Sequence, residues 1–171
     1  RSPLYCTSAG KAILSTYSNH EIIEKWEKFN VKRLTEHTIT DVHALLQDIS
    51  EVKQRHYALD REENEYNIFC VGALVMNYTN TPLGAISISG TTLTEEEEHA
   101  ISETLIAAVR RLSANSWICH AVAYYFISRQ QKRILIRMYG IRILFVLHRR
   151  ENLPPSLFTP ARPDSSGLYP A

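Results

Sequence analysis

Nine uncharged residues, Ile68 to Met76, run directly into turn-forming residues from Asn77 to Pro82 and then into Gly84-Ala85-Ile86-Ser87-Ile88-Ser89-Gly90. Two short apolar runs joined by such a turn predict a β-hairpin, and the first run reads as a buried strand. Successive side chains of a strand point to opposite faces, so Ala85, Ser87 and Ser89 share one face while Ile86 and Ile88 share the other. The isoleucines belong to a core. The two serines face either water, as on a half-buried strand, or a ligand, as in a pocket wall, and these residues alone leave both open.

Helical signals surround the hairpin. Ser8 and Ala9 precede or open a short helix running through Ala12, Ile13 and Leu14. Ser18 and Glu21 have capping-box spacing, with Ile22, Ile23 and Trp26 at helical intervals behind them. Thr40 is placed to cap a helix with Val42, Leu45, Leu46, Ile49 and Val52 as its apolar face. A strand begins at Tyr57-Ala58-Leu59, and Asp60 stands near its close. Thr94 and Glu97 form a second capping box, ahead of a helix that buries Ile101, Leu105, Ala108, Val109 and Leu112. The acidic run Glu95 to Glu98 suits a solvated helix N-terminus and is not read as catalytic.

The character of the chain changes after Asn115. Residues 117–171 hold eight basic against two acidic residues, whereas residues 1–116 hold eleven against sixteen. The body is therefore mildly acidic, which argues against it being a nucleic-acid surface by itself. Trp117 to Leu147 alternates aromatic, basic and aliphatic residues without a settled period. Residues 153–171 carry five of the seven prolines. This gives two parts: residues 1–115 as an α/β (α+β) domain with a mostly antiparallel sheet flanked by helices, and 116–171 as a basic, then Pro-rich, partly disordered tail.

Few constellations carry chemistry. The seven histidines lack metal-ligand spacing, so neither a metal nor a cofactor is expected. Gly10-Lys11 is too short a fragment to be a phosphate loop. Cys6, Cys70 and Cys119 contain no C-x-x-C pair and read as thiols of a reducing compartment, consistent with a cytoplasmic protein. The longest apolar stretch, Ile134 to Leu147, is interrupted by Arg137 and Arg142 and too short for a bilayer, so no membrane partner is expected.

The runs "SPLYCTSAGKAIL", "TITD", "YALDREENEYNIFC" and "GAISISG", in that order, resemble the effector-binding domain of IclR-type bacterial transcription regulators from about Ser2 to Ala114. The resemblance implies a GAF-like or profilin-like domain that binds a small organic acid and is not an enzyme; an ionised Asp60 beside a carboxylate calls for a ligand hydroxyl or hydrated carbonyl facing it, hence a hydroxy or keto acid. It also implies a homodimer or tetramer that meets DNA only through a helix-turn-helix lying outside these 171 residues. Carried over motif by motif, the ligand-binding positions are Ser8, Ala9, Asp60, Cys70, Ser87 and Ser89. Two other readings stay open: a cysteine-dependent enzyme using Cys70 on a GAF-like scaffold, and a truncated, non-functional relic.

Overall fold

The computed structural model describes residues 3–77, 80–114, 133–138 and 141–147. Three helices lead, α1 (Ser8–Leu14), α2 (Asn19–Trp26) and α3 (Val42–Arg55). Strands β1 (Ala58–Arg61), β2 (Phe69–Met76) and β3 (Pro82–Gly90) follow, then α4 (Glu95–Ala114), β4 (Arg133–Met138) and β5 (Ile141–Leu147). The strands form one antiparallel sheet in the order β1-β2-β3-β5-β4.

The expected hairpin is β2–β3, closing at Met76 opposite Pro82 with a bulge between Val75 and Met76. Its turn is held by Asn77, whose Oδ1 accepts from the Thr81 amide at 2.7 Å and whose carbonyl accepts from the Asn80 amide at 3.0 Å. Asn80 itself takes φ 56°, a left-handed conformation that asparagine tolerates.

Both capping boxes form as spaced, Ser18 with Glu21 and Thr94 with Glu97. The cap of α3 is Asp41 rather than Thr40: Asp41 Oδ1 accepts from the Ala44 amide at 2.9 Å, and the Thr40 hydroxyl instead accepts from Arg33. A carboxylate at the next position is the stronger acceptor, so the helix starts one residue later. Two expected core residues are exposed, Ile23 on α2 and Ala108 on α4. Within the acidic run, Glu98 is not solvated: it accepts from the Tyr57 hydroxyl at 3.0 Å and pairs with Arg61, tying α4 to β1.

The sheet separates two cores. On one face Ala9, Ala12, Ile13 and Val52 from α1 and α3 pack with Ala58 and Ala85. On the other, Leu105 and Val109 of α4 cover Leu59, Val71, Ala73 and Ile86. A third cluster joins Tyr5, Cys6 and Leu14 to Ile22 of α2 and to Leu45 and Ile49 of α3, away from the sheet.

The sheet does not stop where the tail was expected to begin. Strand β5 pairs with β3 from Gly84↔Leu147 to Ser89↔Arg142, and β4 pairs with β5. Both strands come from the stretch whose mixed aromatic, basic and aliphatic pattern hid any strand period. The remainder of 116–171, with its expected disorder, lies outside the described residues, as does Cys119.

Candidate functional site

Register brings the predicted residues together. Asp60 of β1, Cys70 of β2 and Ser89 of β3 lie in one row across the sheet, and Ala58, Gly72 and Ser87 lie in the next. Paired residues in an antiparallel ladder point to the same face, so all six share the face beneath α1. The start of α1 lies directly on this grid. A Cβ at Gly72 would stand 2.6 Å from the Ser8 carbonyl carbon and 2.9 Å from the Ala9 amide nitrogen, both backbone atoms that cannot move aside. Glycine at position 72 is thus what lets the helix approach the sheet this closely.

The side chains then meet. The hydroxyls of Ser8 and Ser87 are 2.7 Å apart. The Cys70 thiol donates to the Ser89 hydroxyl at 3.1 Å. One carboxylate oxygen of Asp60 accepts from its own turn, at 2.9 Å from the Glu63 amide and 3.4 Å from that of Asn64. Ser87 is only 3 % exposed, so the strand does not simply present its serines to water. Ser89 is half-buried and marks the open end of the row.

Burial governs the chemistry of the ionisable members. It pushes the Asp60 carboxyl up to about 6, against amide hydrogen bonds and Lys11 acting in the opposite direction. It pushes the Cys70 thiol up to about 11, with the Asp60 charge adding to the effect. A thiol so far from ionisation at neutral pH is a poor nucleophile, which removes the physical basis of the cysteine-enzyme reading.

Sequence reasoning passed over a second, adjacent cluster. Lys11, set aside as a phosphate-loop fragment, is 1 % exposed, with its amine 2.8 Å from Asp48 and 2.5 Å from Glu63. The sequence carries only a one-residue trace of this cluster, a lysine one helical turn after Ser8; the fold then buries the whole seven-residue helix, so the charge requires carboxylate partners. Among the described residues no group of His, Cys, Asp and Glu could hold a metal ion, and no helix is long and apolar enough to cross a membrane. At the far end of α1 a separate cleft of about 680 Å³ opens between α3 and α4, lined among others by Ala12, Ser15, Lys53, Leu74 and Arg110. None of the six predicted residues lines it.

A small antiparallel sheet with a largely buried face of hydroxyl, thiol and carboxyl groups under a short helix defines the class of this α/β domain. The particular family is the one described as bacterial transcriptional regulator IclR, C-terminal, which the sequence matches over residues 1–114, and the chain belongs to it. Strands β4 and β5 lie beyond the matched residues. The p-hydroxybenzoate hydroxylase transcriptional activator of Acinetobacter baylyi is 33 % identical over 105 residues, covering 61 % of this chain and 39 % of that protein. The solved C-terminal domain of the Escherichia coli transcriptional regulator KdgR is 32 % identical with a TM-score of 0.62, over 67 % of this chain and 71 % of that one. The inducer-binding domain of the Acinetobacter transcription factor PobR, solved as a double mutant in complex with 3-hydroxybenzoic acid, is 29 % identical with a TM-score of 0.62, over 65 % of each chain. The chain spans about two fifths of the length of the curated relatives it matches. Those relatives are named as transcriptional activators, regulators and repressors.

Proposed function

We propose that this chain senses a small organic acid for a DNA-binding transcription regulator, and that Ser8, Ala9, Asp60, Cys70, Ser87 and Ser89 form its ligand site. The observation that carries the reading is the buried grid of small polar side chains beneath α1, where the hydrogen bonds now made between Ser8 and Ser87 and between Cys70 and Ser89 are ones a ligand replaces. Ligand entry parts the start of α1 from β3, and the freed hydroxyls donate to the carboxylate. The Asp60 oxygen not engaged by its own turn accepts from a ligand hydroxyl or hydrated carbonyl, which favours a hydroxy or keto acid over a simple one. An inducer-binding relative solved with 3-hydroxybenzoic acid supports a hydroxy acid as the chemical class. In the cytoplasm of a bacterium, the separation of α1 from the sheet biases the arrangement of subunits in a homodimer or tetramer, and through it operator affinity. DNA contact falls to a segment outside these residues.

Calorimetric titration with a panel of small hydroxy and keto acids tests this. Each of Ser87→Ala and Ser89→Ala is expected to weaken binding about ten- to a hundredfold, the loss of one hydrogen bond to a charged group. Wild-type affinity in the double alanine variant would contradict the assignment.

A further inference from the structure

At and beneath the proposed site lie three carboxylates and one fully buried cation. Asp60 belongs to the site, Glu63 and Asp48 both pair with Lys11, and among the described residues Arg55, 3.5 Å from Asp48 and partly exposed, adds a second positive charge. Glu63 is linked to the site through the backbone, because its amide holds the Asp60 carboxylate. The turn after β1 that carries Glu63 is pinned from outside, with Thr35 donating to the Glu62 carbonyl at 2.6 Å and Thr38 to that of Glu63 at 2.7 Å. The Glu63 side chain is itself largely buried, 9 % exposed. Its Oε1 meets Lys11, while its Oε2 is buried with no hydrogen-bond partner among the described residues. A buried carboxylate oxygen left bare is costly as an anion and tolerable as a protonated hydroxyl.

Such an arrangement cannot accept a fourth negative charge unchanged, since like charges a few ångströms apart in a poorly solvated interior repel strongly. We propose that Glu63 is a specificity-determining residue that acts through Asp60: the Asp60–Glu63 pair takes up a proton when a carboxylate ligand enters, so the site admits a monocarboxylate and rejects a dicarboxylate. This rests on the ligand site proposed above.

The groups facing Glu63 are Lys11 from α1, Asp48 from α3, Asp60 from β1, and the Cys6 thiol from the segment before α1. Burial pushes the Glu63 carboxyl up to about 7; Lys11 opposes the shift, and Asp60 and Asp48 add to it. Burial also pushes the Cys6 thiol up to about 12, so it stays protonated. Lys11 is lowered by burial, but Glu63 and Asp48 outweigh that and hold it charged. The carboxyl pair is thus what titrates near neutrality. A bound carboxylate raises its pKa further, so affinity is level below about pH 6.5 and falls toward tenfold per pH unit above it.

The test uses the full 171-residue chain in two arms. First, the Glu63 and Asp60 side-chain carboxyl carbons are followed by NMR from pH 4 to 9 without ligand; a Glu63 that is fully ionised by pH 6 overturns the proposal whatever the pocket binds. Second, lactate, pyruvate, 3-hydroxybenzoate and the dicarboxylate malate are titrated by calorimetry at pH 6, 7 and 8 in buffers of different ionisation enthalpy. Uptake approaching one proton at pH 8, exclusion of malate, and a pH profile flattened by Glu63→Gln support it. Monocarboxylate binding without proton uptake overturns the proposal and leaves the sensing role standing. Failure of every acid to bind overturns both.

Discussion

The two faces of the sheet are built on opposite plans from the same three strands. Under α4 the strands present Leu59, Val71, Ala73 and Ile86 to Leu105 and Val109, an apolar interface with no ionisable group among its buried members. Under α1 they present Ala58, Asp60, Cys70, Gly72, Ser87 and Ser89, small or polar, with a buried lysine and its carboxylates alongside. Both faces are largely buried, yet only one is packed with apolar side chains. A face of small polar residues gains less from burial and makes costly demands on hydrogen bonding, which is the expected character of a surface kept for a ligand rather than for packing.

The contrast can be broken most forcefully at its charged end. Measured at pH 8, where Glu63 is ionised in the native chain, Lys11→Met leaves Glu63 and the partly buried Asp48 without their shared cation and is expected to destabilise the chain by about 3–5 kcal/mol in urea unfolding; a loss below about 1 kcal/mol would mean the acids are neutral or hydrated in the folded state even there. On the apolar face, Leu105→Ala should cost about 2–5 kcal/mol through the cavity it leaves, without changing the affinity of whatever ligand the other face binds. Gly72→Ala comes next, at about 1–3 kcal/mol, because its methyl group meets the backbone of Ser8 and Ala9. Unlike Leu105→Ala, it should also shift ligand affinity, since it wedges α1 away from the site.

A smaller effect separates the faces by pH. Asp60 and Glu63 are both raised above their unfolded values, so the stability they contribute is complete below about pH 4 and is lost as pH rises through about 6 and 7. Most of this decline falls between pH 5 and 8. Glu63→Gln should flatten the decline and Leu105→Ala should leave its slope alone, as unfolding curves at several pH values would show.

How much of this was legible in the sequence depended on how local its cause was. The hairpin, both capping boxes and the α3 stripe of Leu45, Ile49 and Val52 follow from residue spacing alone, and they form as read. The six site positions came from a family resemblance. The side chains of the buried set then fall together because register, which spacing does not specify across separate strands, aligns Asp60 with Cys70 and Ser89. The Lys11 cluster stayed hidden because its partners lie 37 and 52 positions away on α3 and in the turn after β1, a tertiary fact with only a one-residue trace. Ile23 and Ala108 failed for the converse reason: helical periodicity marks a face as apolar whether or not another element arrives to cover it.

The central claim is that ligand meets the polar face under α1, and amide chemical-shift mapping tests it most directly. An isotope-labelled full chain titrated with 3-hydroxybenzoate, lactate and pyruvate should show its largest perturbations at Ser8, Ala9, Asp60, Cys70, Ser87 and Ser89, with the α4 face quiet around Val71 and Leu105. Perturbations centred instead on Lys53, Leu74 and Arg110 would place the ligand in the cleft at the far end of α1 and contradict the account.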